Sequence, residues 1–179
     1  MDPSFRKWGL CLGTYDTDTG DVTVDSIDVI ATEIKREFKY KNLKDLEETD
    51  RLVEAITEIV PKDAYIFTEL PIGSKSAAAM KGYGICVGVT SNLKQHTSLP
   101  IQVVREFEVK FALGLERNAS KRKIIDAAYS KHPHLNWPFY KFRGELELIK
   151  GRAEHMADAI GALHAGVESP EFQEYIKRF

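Results

Sequence analysis

Three acidic residues stand at positions that an ordinary solvated surface does not explain. Asp2 comes directly before a turn and an apolar segment, Glu69 lies near the end of the dense apolar run 64–70, and Asp158 lies among small and apolar residues. An unpaired charge is costly to bury, so a carboxylate in such surroundings is either partnered or functional. His155 precedes Asp158 by three residues and therefore shares its face if this segment is helical.

These side chains point to one kind of chemistry if the fold gathers them. Carboxylates that meet at one point repel each other unless cations neutralise them, and Mg²⁺ or Mn²⁺ prefers oxygen ligands. Two such ions about 4 Å apart are the usual arrangement for phosphodiester hydrolysis. Simpler interpretations stay open: Glu69 is also explained as a charge just beyond the core, and His155 with Asp158 can hold a metal or shuttle a proton.

Charge is unevenly distributed along the chain. The net charge is only -2, which argues against a protein that binds nucleic acid with its whole surface. Residues 16–28 contain five aspartates and no base, whereas residues 105–131 contain seven bases against four acids. The basic zone is suited to phosphate, although a solvated helix face would look the same.

The length and composition exclude several other classes. The 179 residues fit one domain spanning 1–179. No apolar run reaches the roughly 18 residues that a membrane helix needs, and the start has no secretory h-region. The two cysteines make no disulfide framework, which favours a reducing compartment. We therefore expect a cytoplasmic protein without a membrane partner.

The elements that would position these residues follow from hydrophobic periodicity. Apolar alternation predicts a β-hairpin from 8–13 and 22–30, and a three- and four-residue repeat predicts a helix over 45–60. The remaining pattern predicts strands at 64–70 and 101–107, and helices after Ser74, over 120–133 and over 144–167. This order predicts an α/β domain with a mixed sheet. Glu69 would then lie at a carboxyl end of a strand, where α/β proteins place their sites.

Four short motifs, taken in order, resemble those of the RuvC-type Holliday junction resolvases of the RNase H-like superfamily. DPSFRKWGLCL is similar to the family's Asp-Pro-Gly/Ser element, and YIFTELPIGSKSAAAMKGYGICVGV to its strand with an acid followed by a small-residue helix. VKFALGLERNASKRKII is similar to its late basic segment, and HMADAIGALHAG to its last helix. Together the motifs span nearly the whole chain.

The resemblance implies a metal-dependent endonuclease that makes paired cuts in branched DNA as a homodimer, in the cytoplasm of bacteria or of a phage-infected host. It implies a five-stranded mixed sheet flanked by helices, and Mg²⁺, or Mn²⁺ as its substitute, held by Asp2, Glu69, His155 and Asp158. Lys110 and Lys121 take the positions of lysines that stabilise phosphate charge in the reaction. The residues we expect to contact DNA are basic: Arg6, Lys7, Lys75, Arg105, Lys110, Lys121 and Arg122.

One departure from the family pattern concerns the first strand. The family has several apolar residues before its Asp-Pro element, whereas here only Met1 precedes Asp2. We therefore expect a sheet that lacks most of this strand, as in a truncated chain, and Asp2 on a fraying end. This departure keeps a second hypothesis open, a non-catalytic protein of the same fold that binds branched DNA. A third is an RNase H-like nuclease acting on flaps or RNA–DNA hybrids.

Two other patterns have competing explanations. His132 and His134, together with His155 or His164, suggest a zinc site, but no cysteines support one and the acids suit a harder ion. Trp137, Phe139 and Tyr140 are able to stack on unpaired bases, but a hydrophobic cover between the last two helices is the favoured explanation.

Overall fold

The computed structural model describes residues 1–70, 72–98 and 100–178. Among these residues no helix is long and apolar enough to cross a membrane. The elements in chain order are β1 (Lys7–Tyr15), β2 (Val22–Ala31), α1 (Lys41–Ile59), β3 (Ile66–Glu69), α2 (Ala77–His96), β4 (Ile101–Val104), α3 (Glu106–Ala112), α4 (Lys121–Lys131), β5 (Phe139–Phe142), β6 (Glu145–Leu148), α5 (Lys150–Val167) and α6 (Pro170–Ile176).

The strands pair as three two-stranded sheets. β1 and β2 are antiparallel, with a register shift between Leu12 and Gly13. β3 and β4 are parallel, as their helical crossover requires, and β5 and β6 form a separate antiparallel hairpin. The described strands therefore show a mixed α/β architecture, and the expected continuous five-stranded sheet is not seen.

Met1 and Asp2 lie between the first two sheets and connect them. Asp2 and Gly9 exchange two backbone hydrogen bonds, each of 3.0 Å. On the other side, the Met1 ammonium group donates to the Phe67 carbonyl at 2.7 Å, and the Glu69 amide donates to the Met1 carbonyl at 3.2 Å. Two residues are too few to form a strand, but they fix the backbone of Asp2, which contradicts the expectation of a fraying end.

The β1–β2 sheet has a hydrophobic layer on each face, as its alternating sequence requires. Trp8 and Leu10 are buried on one face, against α1 and α2. Ile27 and Val29 pack on the other face, against α4 and α5. The motif residues on α5 thus approach the sheet from the side opposite to α1 and α2.

α5 is built largely from small residues, which let it approach its neighbours closely. Ala153, Ala157, Ala159 and Ala162 are fully buried. The contact with β1 is especially tight, because a Cβ added at Gly9 would lie 2.2 Å from the carbonyl oxygen of His155. This close approach brings the His155 backbone against the strand that Asp2 bridges.

Several predicted elements need correction. The strand expected over 101–107 ends at Val104, and helix α3 begins at Glu106. Residues 145–148 form β6 and not the start of a helix; the hairpin turns at Arg143 and Gly144, both with positive φ. α6, which the sequence pattern did not reveal, begins with Pro170 after the capping hydroxyl of Ser169.

Candidate functional site

Ionisable side chains from distant parts of the sequence line one cleft of about 860 Å³. The described residues that carry its charge are five acids, one histidine and three bases: Asp2, Glu69, Glu106, Glu154, Asp158, His155, Arg6, Lys110 and Lys121. They come from the chain start, the end of β3, α3, the beginning of α4 and the first half of α5. The fold therefore gathers groups that the sequence separates by more than 150 residues.

Asp2 and His155 form a direct contact at the centre of the cleft. His155 Nδ1 lies 2.5 Å from the Asp2 carboxylate, and the two side chains are only 19% and 18% exposed. This bond favours the tautomer in which Nδ1 donates to Asp2. The other ring nitrogen of His155 then carries the lone pair, which is able to accept a proton or bind a metal.

Glu69 and Asp158 lie in an environment that disfavours their negative charge. Burial, followed by the nearby Asp2 and Glu106 carboxylates, raises the pKa of Glu69 to about 7. Burial, followed by Asp2, Glu69 and Glu154, raises the pKa of Asp158 to about 8. The carboxylates are therefore close enough to repel one another, which is the condition that a bound cation relieves.

Each base that lines the cleft is bound to an acid. Arg6 Nε donates to the fully buried Glu48 carboxylate at 3.1 Å. Lys110 Nζ donates to Glu106 at 2.6 Å and to the Arg117 carbonyl at 3.1 Å.

The third pair joins Lys121 to the Glu154 carboxylate, and this hydrogen bond raises the pKa of Lys121. Lys121 follows Ser120, whose hydroxyl caps α4, so the helix start itself presents this lysine to α5. Each basic side chain of the cleft is thus held in a defined position by an acid.

The donor set of the cleft suits a hard divalent cation, because Asp2, Glu69 and Asp158 offer oxygen ligands and Asp158 is held in a mostly apolar helix. Within the described ranges, however, no three His, Cys, Asp or Glu side chains are arranged as a ready metal-binding group. The chemistry of the donors fits the ion, and the side chains would have to move closer together to hold it.

The structure brings all six residues of the expected catalytic set to this cleft, namely Asp2, Glu69, Lys110, Lys121, His155 and Asp158. Of the other residues expected to contact DNA, Arg6 also lines it. The remaining four are exposed and lie outside the cleft lining: Lys7, Lys75, Arg105 and Arg122.

Sequence reasoning missed two acids of the cleft and one acid behind it. Glu106 was hidden because residues 101–107 were expected to form a strand, and Glu154, four residues before Asp158, is a weaker candidate from the sequence than His155. Glu48 is four residues before Leu52 in α1. It therefore lies on the same face of the helix, within the apolar stripe. An acid in such a stripe is a signal that could have been used.

The histidines considered for zinc lie elsewhere. His132 and His164 contact each other through their Nε2 atoms at 3.0 Å, and burial lowers the pKa of His164 to about 4. Trp137 is buried in the core with α4 and α5, as the hydrophobic-cover interpretation expected, whereas Phe139 and Tyr140 are exposed on the β5–β6 hairpin.

Comparison with solved structures identifies a similar fold. The Thermus thermophilus RuvC structure matches with a TM-score of 0.58 and 15% identity, covering 92% of each chain. T. thermophilus RuvC in complex with a Holliday junction substrate matches with a TM-score of 0.57 and 15% identity, covering 92% of this chain and 88% of that one. No protein-family model matches the sequence, and a search of curated proteins finds no match. The chain therefore has a RuvC-like fold.

Proposed function

We propose that this protein is an endonuclease that hydrolyses phosphodiester bonds in four-way junctions or other branched DNA, with Mg²⁺ or Mn²⁺ as its cofactor. The observation that carries the proposal is the meeting of Asp2, Glu69 and Asp158 in one cleft, each from a different part of the sequence. The RuvC-like fold supports it, since one of the two similar structures is described as bound to a Holliday junction substrate.

Asp2, Glu69 and Asp158 are the residues that would hold the metal, with His155 as a fourth donor. A bound divalent ion would supply an activated water and neutralise charge at the leaving oxygen. Without a cation, Asp158 retains its proton at neutral pH because its pKa is raised to about 8. In this state the net charge of the cleft is less negative than the number of its acidic residues suggests.

The Asp2–His155 bond gives the histidine a defined task. Because Asp2 accepts from Nδ1, the imidazole keeps a fixed orientation and its other nitrogen is basic. In the proposed reaction this nitrogen either accepts the proton of the attacking water or binds the metal. Both roles need the same tautomer, so Asp2→Asn would disturb either one.

Lys110 and Lys121 line the cleft from two different helices, α3 and α4. We assign them to the scissile phosphate, where a fixed ammonium group stabilises the charge that develops in the transition state. Each lysine would exchange its acid, Glu106 or Glu154, for a phosphate oxygen when DNA binds. Arg6, held from behind by Glu48, would contact the same strand without losing its partner.

Paired cuts in a four-way junction need two active sites, so the proposed nuclease acts as a homodimer. Light scattering coupled to size-exclusion chromatography, with and without junction DNA, measures this directly. A complex with one protein chain per junction would contradict the dimer.

The proposed activity is tested with labelled four-way junctions, flaps, RNA–DNA hybrids and plain duplex of matched sequence, each in Mg²⁺ and in Mn²⁺. We expect incision of the branched substrates and little or none of the duplex. Equal cutting of duplex would contradict structure selectivity, and preferential cutting of hybrids would assign the site to a different nuclease class.

A second candidate function is the binding of branched DNA without cleavage. It is favoured by one observation: in the described part of the chain the acids are not arranged as a ready metal-binding group. The same assay separates the two functions. Junction binding without incision in either metal would favour the binding protein.

A further inference from the structure

Two arginines outside the cleft share one aromatic ring. The guanidinium of Arg105 lies 5.8 Å from the centre of the Phe107 ring, and that of Arg117 lies 5.4 Å from the same centre. The two charges are therefore at most about 11 Å apart, although twelve residues separate them in sequence. We call Arg105, Phe107 and Arg117 the Phe107 clamp.

The charges of the clamp are not compensated in the way that the cleft charges are. Arg6, Lys110 and Lys121 each have an acid within ion-pair distance. Within residues 1–70, 72–98 and 100–178, by contrast, no carboxylate lies within 4.0 Å of the Arg105 or Arg117 guanidinium.

One acid close to Arg105 is already engaged. The Glu108 carboxylate accepts a hydrogen bond of 2.7 Å from the Arg105 backbone amide, so it caps the helix instead of pairing with the guanidinium. Two like charges held near one ring, without an acid between them, repel each other unless an anion binds. When no anion is bound, the Phe107 ring attracts both guanidiniums and keeps them close to each other.

The clamp is joined to the wall of the cleft. Glu106, which lies between Arg105 and Phe107 in sequence, lines the cleft together with Lys110. Lys110 also donates to the backbone carbonyl of Arg117, which fixes the segment that carries the second guanidinium. An extended chain that passes over Lys110 would therefore meet the clamp next.

We propose that the Phe107 clamp is a binding site for the phosphate backbone of the DNA strand that leaves the cleft, with Phe107 as the residue that positions both guanidiniums. This inference rests on the proposed function. Guanidinium groups bind phosphate oxygens through paired N–H donors. The two guanidiniums, at most about 11 Å apart, are close enough to contact phosphates of the same strand, which are spaced about 3.4 Å apart along the duplex axis.

The assay is equilibrium binding of a labelled four-way junction, in Ca²⁺ to prevent cutting, across a series of salt concentrations. Each phosphate contact contributes about 0.9 to the slope of log affinity against log salt. We expect the double variant Arg105→Ala/Arg117→Ala to lower this slope by roughly two. Phe107→Leu keeps both charges but loses the ring, and we expect it to weaken binding about two- to fivefold. Phe107→Trp should restore the affinity.

The matched control is another exposed arginine that lies over an aromatic ring, Arg36 with Phe38 at 4.8 Å. Arg36 is paired with Glu47, so Arg36→Ala should leave the slope within the error of wild type. An unchanged slope in the double variant, or an equal loss in the control, would overturn the clamp. So would a Phe107→Trp variant as weak as Phe107→Leu.

A second probe separates failure of the clamp from failure of the proposed function. If wild type binds no DNA, the nuclease proposal fails, and inorganic tripolyphosphate still tests the clamp by calorimetry. We expect wild type to bind it and the double variant to lose at least about fivefold. Absent or equal binding would overturn the site, and tighter binding of polyglutamate than of DNA would reassign it to an acidic protein partner.

Discussion

The close contact of β1 with α5 gives a sharp test of how this fold assembles its candidate site. Gly9 is the β1 residue that bridges Asp2, and it faces the backbone of His155. Its added Cβ would lie 2.2 Å from the His155 carbonyl oxygen and 2.8 Å from the carbonyl carbon. The substitution Gly9→Ala therefore places a methyl group against the backbone of His155, which is not the flexible end of a side chain.

The size of the effect follows from this overlap. Ordinary contact begins at 3.4 Å, so β1 and α5 must separate by about 1 Å. Overpacking of this kind costs about 1–3 kcal/mol, or more where backbone must move. For a chain of this size, each kcal/mol lowers the melting temperature by about 2–4 °C. We therefore expect Gly9→Ala to lower it by roughly 2–12 °C and to weaken the Asp2–His155 contact.

The assays are thermal unfolding and urea unfolding, both followed by circular dichroism, together with junction cleavage at a temperature where the variant stays folded. The matched control is Gly84→Ala in α2, where no atom lies within 4 Å of the added Cβ. A glycine in the middle of a helix costs about 0.5–1 kcal/mol relative to alanine, so this control should be slightly more stable than wild type.

A Gly9→Ala protein within about 0.5 kcal/mol of wild type would refute the reasoning, since surface substitutions lie in that range. It would mean that β1 does not press on α5 as described. A destabilised Gly84→Ala protein would show that the comparison of glycines itself is unsound.

Three further predictions concern charge. Without divalent ions, Asp158 and Glu69 should make stability fall as pH rises from about 4 to 8, by up to about 1.4 kcal/mol per pH unit for each group, because the folded state holds protons on these acids that the unfolded chain has already lost. Urea unfolding in EDTA should show a shallower slope for Asp158→Asn. His164 opposes this trend: as pH drops from about 6.5 towards 4 it lowers stability, because the unfolded chain protonates His164 before the folded state does. His164→Gln should therefore gain more stability than wild type over this range, and an unchanged slope would contradict this. Glu48→Gln should cost about 1–3 kcal/mol by chemical denaturation, since it removes a charge-assisted bond to Arg6 from a fully buried position.

The sequence predicted the elements whose signal is local. The alternation of Trp8 and Leu10 with Gly9 and Cys11 marked β1, and the apolar repeat of α1 marked a buried helix face. Glu69 was placed correctly at the end of β3 because a dense apolar run ending in an acid is unusual. These features depend only on neighbouring residues, so periodicity is sufficient to find them.

Features that depend on long-range contacts were not predictable in this way. The bonds from Met1 to Phe67 and from Asp2 to Gly9 join segments that no local pattern relates, and they fix an aspartate that looked mobile. α3 was missed because the β-branched run at 101–104 continues into residues that tolerate a strand. The acids Glu106 and Glu154 could be assigned to the cleft only after α3 and α4 had been placed beside α5.

The central claim is that Glu69 belongs to a carboxylate site that cuts DNA, and Glu69→Gln tests it most directly. The change keeps the shape of the side chain and removes its charge. Cleavage of a labelled four-way junction in Mg²⁺ and Mn²⁺ should fall at least about 100-fold, while junction binding measured in Ca²⁺ should stay within about twofold of wild type. Cutting at the wild-type rate by this variant would contradict the proposed site.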